Sequence, residues 1–449
     1  MSTEQIEKLK PNPITVTVSD SGEYAFHGRS VNITRDKNRA LEPYGKVLLQ
    51  YGKQLTLLPT DGQALLIRKT CGCSRVAARD YLDARQAFYH ETKGSLTVSS
   101  YKKDGLKRLK EEKPWLREVD KFALEAAVEH IDAAFTKFFR EGSGFPRYPS
   151  KYNPSGKRYT TKQTNGNIRL STGKDGLPYI KLPKLGDVRY VLPKGALPGT
   201  VLLPGSRITS ATVIKDGRNY LVSLQLEAVT DKTAPVKTVS ARRITGLDLG
   251  LKEFAVYGDG SGERIHVKNE RFIKLHEKRL RRFQRMLSRR RYDRKAHKGS
   301  KNYYKAKDLV AKEQRKTANQ RKDFHHKLSR KVADGCDVFV CEDLNIKGLM
   351  KDRRLSKAIA GVGWGRFLSM VKYKVERKGG IFLKVSRWYP STKTCTHCGH
   401  KNNSLTLKDR FWKCPECGAL IDRDENAVDN LIKEGMRLLE EQGILCTAV

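Results

Sequence analysis

Two cysteine pairs, Cys395-Thr-His-Cys398 and Cys414-Pro-Glu-Cys417, frame residues 399–413, and a glycine follows each pair, Gly399 and Gly418. This is the spacing of a four-thiolate zinc ribbon, in which Zn2+ holds together a hairpin with too little core to fold alone. Phe411 and Trp412 are expected to pack beside it. Four thiolates already fill a tetrahedron, so His397 and His400 read as exposed neighbours and not as ligands. Cys71, Cys73, Cys336, Cys341 and Cys446 have no matching partner set and read as ordinary residues.

A second group of residues points to hydrolytic chemistry. Asp248 sits in Ile244-Thr-Gly-Leu-Asp-Leu-Gly-Leu, between Leu247 and Leu249, in the pattern of a buried strand. A carboxylate in such surroundings is costly unless it is paired or bound to a metal. Gly246 and Gly250 on either side would let a phosphate backbone come close. Glu342 repeats the situation at the end of the apolar run Val338-Phe-Val-Cys, where Asp343 is the alternative, as a cap on the following turn. The third candidate is Asp424 in Ile421-Asp-Arg-Asp-Glu-Asn-Ala-Val-Asp-Asn-Leu, expected at the N-cap of a final helix, with Asp422 and Asp429 as rivals and simple capping as the bland alternative. Two-metal phosphodiester cleavage needs several carboxylates converging on two divalent ions, and Asp248, Glu342 and Asp424 would meet that need. Hard oxygen ligands select Mg2+ or Mn2+.

The charge of the whole chain names the kind of partner. Lys and Arg number 89 against 49 Asp and Glu, a net +40. A compact fold carries such a charge best beside a polyanion, so nucleic acid is the expected partner, with a soluble cationic protein or a membrane-surface binder as the alternative. Between Arg271 and Lys331 there are 24 Lys and Arg against 5 acids, interleaved with Tyr292, Tyr303, Tyr304 and Phe324. Phe272, Leu275, Leu280, Phe283 and Leu287 leave one face of this stretch for packing, and Arg281, Arg282, Arg289 and Arg290 are candidate phosphate contacts on the others. No run approaches 18 apolar residues and Met1–Lys10 has no signal-peptide core, so a soluble cytoplasmic protein associated with the nucleoid, and no membrane partner, is expected. The reducing compartment agrees with metal-bound rather than disulfide-bonded cysteines.

The elements that must position these residues fall into three zones. Ile14 to about Arg29 alternates as a strand, and helical spacing runs from about Leu41 to Arg140, best in Val119–Phe122–Ala123–Ala126–His130–Ala133–Ala134–Phe138, with the charged stretch Asp104–Trp115 joining two helices. From Ser143 to about Thr238, short strands between Gly, Pro and Asn suggest a small β-barrel, to which the strand near Val16 would also belong, with the helices as an insertion. Thr230–Arg243 is the linker. From Arg243 a three-strand meander is followed by helices through about Arg271–Arg291 and Tyr303–Ala333, a buried strand at Asp337–Leu344, a helix at Trp364–Arg377, a strand at Ile381–Trp388 and a last helix after Ile421. This order predicts a multidomain α+β protein with a ribonuclease-H-like α/β domain.

With these residues in view, the chain resembles the transposon-encoded TnpB nucleases and the compact type V CRISPR effectors related to them. The resemblance is carried by Gly246-Leu-Asp-Leu-Gly250, Glu342-Asp-Leu-Asn-Ile-Lys-Gly348, Trp364–Gly379, Tyr389-Pro-Ser-Thr-Lys-Thr-Cys-Thr-His-Cys-Gly399, Trp412-Lys-Cys-Pro-Glu-Cys-Gly418 and Asp422-Arg-Asp-Glu-Asn-Ala427. It implies a RuvC nuclease in two parts, 243–390 and 421–449, around a zinc ribbon of 391–420 that loads nucleic acid. It also implies a wedge β-barrel formed by 1–30 and 143–238, with a helical recognition domain at 31–142. The resemblance makes Asp424, not Asp422, the third acid, and implies a guide RNA, a target DNA and one or two protein copies on each RNA. The function it implies is RNA-guided DNA cleavage; the alternatives are an RNA-independent transposase or other unguided nuclease with the same acids, and a non-catalytic regulator, which the complete acid set disfavours.

Overall fold

The computed structural model describes residues 14–19, 23–28, 33–192, 195–197, 200–234, 236–293, 295–296, 298–406 and 409–447; Met1–Lys10, read above for a signal-peptide core, fall outside them. The chain divides between Lys232 and Thr233 into two compact units. Among the described residues no helix is long and apolar enough to cross a membrane.

In the first unit, β1 (Thr15–Val18) and β2 (Tyr24–His27) form a two-stranded sheet of their own. After α1 (Ile33–Leu41) comes β3 (Lys46–Leu58), then α2 (Asp61–Thr92), α3 (Leu106–Glu112) and α4 (Lys121–Glu141). Strands β4 (Arg158–Lys162), β5 (Arg169–Thr172), β6 (Pro178–Leu182), β7 (Gly186–Val191), β8 (Arg207–Asp216) and β9 (Asn219–Asp231) complete a seven-stranded antiparallel sheet in the order β4-β8-β9-β3-β7-β6-β5. The helices start where the side chains satisfy free backbone amides. Thr60 and Gln63 form a capping box on α2, and Asp120 accepts from the Phe122 amide at 3.1 Å to cap α4. Cys73, Ala77, Tyr81, Leu124, Val128 and Phe135 fill the core between them.

Three expectations are corrected here. Among the described residues the strand near Val16 pairs only with β2, and the strand that enters the large sheet ahead of the helices is β3, inside the stretch expected to be helical. In β3 the residues Val47, Leu49, Tyr51, Leu55 and Leu57 alternate, and they oppose Thr230, Ala228, Leu226, Val222 and Tyr220 of β9 in an unbroken register. On that period-2 face Leu55 and Leu57 are buried and Val47, Leu49 and Tyr51 half-buried, and the pairing overrides the helical texture of the flanking residues. The sheet is also open, since no ladder among the described residues joins β4 to β5, whereas a barrel was expected.

In the second unit, β10 (Thr238–Ser240) leads into β11 (Ile244–Leu249), β12 (Glu253–Gly258) and β13 (Arg264–Lys268). The helices α5 (Phe272–Ser288) and α6 (Lys301–Gly335) follow, joined through the short pair β14 (Tyr292–Asp293) and β15 (Lys298–Gly299). Then come β16 (Val338–Glu342), α7 (Trp364–Arg377), β17 (Ile381–Val385), the ribbon strands β18 (Phe411–Lys413) and β19 (Leu420–Asp422), α8 (Arg423–Glu440) and β20 (Leu445–Thr447), which pairs in parallel with β10. The central sheet has the order β13-β12-β11-β16-β17, with β11, β16 and β17 parallel and β12 antiparallel to its neighbours. Both faces are covered, which is why β11 and β16 read as continuous apolar runs. On one face Phe254, Phe339 and Cys341 meet Leu328 and Val332 of α6 and Phe367 and Val371 of α7. On the other, Ile244, Val338 and Val340 meet Val428, Leu431 and Ile432 of α8.

Helix α8 lies very close to the sheet. A methyl group on Gly246 would stand 2.7 Å from the Val428 carbonyl oxygen, and one on Gly435 would stand 2.6 Å from a Val340 methyl. Glycine at these positions is a packing requirement. Gly246→Ala is expected to lower the melting temperature by several degrees, since overpacking of this kind costs about 1–3 kcal/mol. An unchanged melting curve would contradict the close approach of α8.

Candidate active site and metal centre

Strands β11 and β16 run parallel with Leu247 opposite Cys341, so the next residues, Asp248 and Glu342, emerge side by side at the same ends of adjacent strands. Burial, and then the negative charge of Glu342, push the Asp248 carboxyl up to about 7, against the opposing pull of Arg423, the Leu249 amide and Arg410. Two carboxylates held so close call for a cation. Glu342 accepts a hydrogen bond from the Ser391 hydroxyl at 2.5 Å. Its neighbour Asp343 is committed elsewhere: Lys384 at 2.7 Å and Arg387 at 2.8 Å hold its carboxyl below the usual range, and Asn345, not Asp343, caps the next short helix.

At the start of α8 the expected cap is corrected by two positions. Asp422 is the N-cap residue and accepts from the amides of Asp424 at 2.8 Å and Glu425 at 3.1 Å. Asp424 therefore sits in the first turn with its side chain free of capping, where the positive helix end favours a carboxylate. One of its oxygens meets Arg423 Nε at 3.2 Å and Nη2 at 3.1 Å, and the other meets Arg410. The rival Asp429 is paired with Arg264 of β13. The structure thus joins Asp248 directly to Glu342, and links Asp424 to that pair through two guanidiniums. Sequence reasoning missed both arginines: Arg423 had a signal, lying inside Asp422-Arg-Asp, while Arg410 precedes β18 with none. The glycines flanking Asp248 also serve otherwise than expected, Gly246 beneath α8 and Gly250 in a turn that brings it against the Glu253 carbonyl.

The four cysteines come together. Sγ of Cys395 is 3.7 Å from Cys417 and Cys398 is 3.6 Å from Cys414, with all four sulfurs within 4.8 Å of one another. A tetrahedron with metal–sulfur bonds of about 2.3 Å has edges near 3.8 Å, so the donor set fits Zn2+, and the gaps are far too long for disulfides. The amides of Cys417 and Glu416 draw the Cys414 thiol below its usual range. Gly399 and Gly418, at φ of 78° and 72°, close the two knuckles by donating to the Cys395 and Cys414 carbonyls, each at 2.9 Å. His397 is exposed, and His400 lies 4.0 Å from Glu416. Among the described residues, this is the one set of three or more His, Cys, Asp or Glu side chains gathered closely enough to share an ion.

Helices α5 and α6 pack against each other through His276, which meets Glu313 at 2.7 Å and Gln320 at 2.6 Å. Arg281, Arg282, Arg289 and Arg290 are exposed, although Arg281 is held at 2.6 Å by Glu277. Of the five residues expected on the packing face, Leu275 is 66% exposed. Cys414→Ser should lower tightly held zinc from about one per chain to none and unfold the ribbon, reducing DNA cleavage more than RNA binding. Elemental analysis of protein purified without chelator, read beside cleavage and binding assays, checks this; wild-type protein free of zinc would overturn it.

The Cas12f1-like TNB domain model matches residues 364–431, and the OrfB_IS605 model, described as "Probable transposase", matches residues 224–353. A Streptomyces pristinaespiralis protein named as an RNA-guided DNA endonuclease is 33% identical over 390 residues, covering 84% of this chain and 87% of the relative. InsQ of Escherichia coli K12, named likewise, is 26% identical over 345 residues, 73% of this chain and 78% of that one. A protein chain from the cryo-EM structure of a Cas12f1–sgRNA–target DNA complex shares the fold, with a TM-score of 0.55 at 16% identity over 83% of each chain. Identity of this extent across most of both sequences shows that the chain belongs to the TnpB and compact type V effector family.

Proposed function

We propose that this protein is an RNA-guided DNA endonuclease that cuts at Asp248, Glu342 and Asp424. The observation that carries the reading is the placement of Asp248 and Glu342 at neighbouring positions on adjacent strands, where burial and then the charge of Glu342 lift Asp248 to about 7 unless a cation offsets them. The sheet order supports a ribonuclease-H-like, RuvC-type domain: counted along the five-stranded sheet, the strands run third, second, first, fourth, fifth, and α8 covers one face. In the first unit, α2 to α4 inserted between β3 and β4 fit a recognition domain set into a wedge. The oxygen donors suit Mg2+ or Mn2+, and divalent ions held by the three acids would supply an activated water and offset charge on the leaving oxygen. Asp248 and Glu342 face each other from fixed strands, so their spacing is set before any substrate arrives. Asp424 approaches from a helix N-terminus, and joining the other two acids on an ion would require it to exchange the grip of Arg410 and Arg423.

Sequence would be read by pairing between a guide RNA and the target strand, leaving the protein to bind backbone, as one copy or two on each RNA. The exposed Arg281 and Arg282 on α5 and Arg289 and Arg290 just after it suit phosphate contact. Asp248→Ala, Glu342→Ala and Asp424→Ala should each lower cleavage by on the order of a hundredfold or more, while binding of RNA and DNA persists. Asp422→Ala removes only a cap, costing about 1 kcal/mol of helix stability, and should keep substantial activity. A Mg2+ cleavage assay run beside a binding assay decides. An active Asp424→Ala with an inactive Asp422→Ala would move the third acid, and cleavage by all four variants would end the nuclease reading.

A further inference from the structure

Ser391 lies between β17 and the first knuckle of the ribbon and is 2% exposed. Its hydroxyl donates to Oε1 of Glu342 at 2.5 Å. Its carbonyl oxygen accepts from the side-chain amides of Asn426 at 3.3 Å and Asn430 at 2.7 Å, one turn apart on α8. The same two amides donate to the Thr394 carbonyl, at 2.7 and 2.6 Å, and Asn426 Oδ1 accepts from the Thr396 amide at 3.0 Å. The ribbon ligand Cys395 stands between those two threonines.

Asn426 and Asn430 are each 2% exposed, on the same helix as the buried Ala427, Val428 and Leu431. Two asparagines buried there are costly unless their hydrogen bonds are met, and a helix that needed only packing would do better with leucine. What the pair accomplishes is to grip one loop at two carbonyls, those of Ser391 and Thr394. The gripped loop then aims a hydroxyl at a carboxylate, a charge-assisted bond of the stronger kind. A continuous path runs from the zinc knuckle through Asn426 and Asn430 to Ser391 and Glu342, and the helix that carries the two asparagines also carries Asp424.

We propose that Ser391, held by the buried Asn426–Asn430 pair, is a positioning residue that orients Glu342 for a divalent ion and makes that orientation depend on the folded ribbon. The proposal rests on Glu342 being such a ligand. Outer-shell hydrogen bonds of this kind fix which oxygen faces the metal and in which direction. The hydroxyl is separable from the anchor: Ser391→Ala removes the bond to Glu342 but keeps the carbonyl that both asparagines hold.

Mn2+ binding to the full-length, zinc-loaded protein, followed by electron paramagnetic resonance, tests this without reference to cleavage. Ser391→Ala should weaken Mn2+ binding roughly tenfold while zinc content stays unchanged, and Ser391→Thr, which keeps the hydroxyl, should restore it. Asn430→Ala should weaken Mn2+ similarly, and the double variant with Ser391→Ala should be no weaker than the singles, because both act through one bond. Wild-type Mn2+ affinity in Ser391→Ala overturns the proposal, as does loss of zinc in that variant, which would make Ser391 a part of the ribbon alone. If wild type binds Mn2+ no better than Glu342→Ala, it is the ligand reading of Glu342 that fails instead.

Discussion

Two like charges held side by side by strand register govern the second unit. Asp248 and Glu342 have little freedom to separate, because both lie in strands locked in the central sheet, Glu342 as the last residue of β16 and Asp248 one residue before the end of β11. In bulk water such repulsion is weak, but here burial of Asp248, the larger cause, and the charge of Glu342 together carry one carboxyl toward neutrality. The protein answers with Arg410 and Arg423, which lower Asp248 while engaging Asp424. Positive charge therefore stands beside the carboxylates, and a divalent ion bound there would have to exchange with it. Across the whole chain the problem has the opposite sign, since a net +40 is balanced best by a polyanion.

Helix α8 brings these demands together. Its first turn carries Asp424, its next two turns carry the asparagines that hold the ribbon loop, and Gly246 and Gly435 allow it to lie closely on the sheet. A displacement of α8 would move the third acid and the support of the second acid together. The ribbon has little core of its own, Cys395, Trp412, Cys414 and Ile421 being its buried apolar cluster, so its shape depends on a metal and on the grip of α8. Zinc held there would stabilise a scaffold, apart from the carboxylates proposed to carry the chemistry.

Much of this site could be read in the sequence because the chemistry leaves short, local patterns. Paired CxxC knuckles announce a tetrahedral thiolate set, and an acid closing an apolar run announces a strand-end carboxylate; the structure gathers the four sulfurs and pairs Asp248 with Glu342. The helices α5, α6, α7 and α8 and the strands β11 to β13, β16 and β17 also showed in their periodicity. What stayed hidden was decided by partners distant in sequence. β3 is a strand because β9, more than 160 residues away, pairs along its length. Gly246 is glycine because α8 crosses it, and Arg410 acquires meaning only from Asp424. The cap was misplaced for a subtler reason, since Asp422 and Asp424 both precede the apolar face and only the backbone decides which one caps.

Sequencing the RNA that copurifies with the protein, then testing cleavage of a DNA matched to it, bears most directly on the central claim. The account predicts Mg2+-dependent cutting of the matched DNA, lost when ribonuclease strips the particle. Cutting should return at a new site when an RNA with a changed guide segment is supplied. Continued cleavage at the original sites by RNA-free protein would contradict the account and leave an unguided nuclease built on the same three acids.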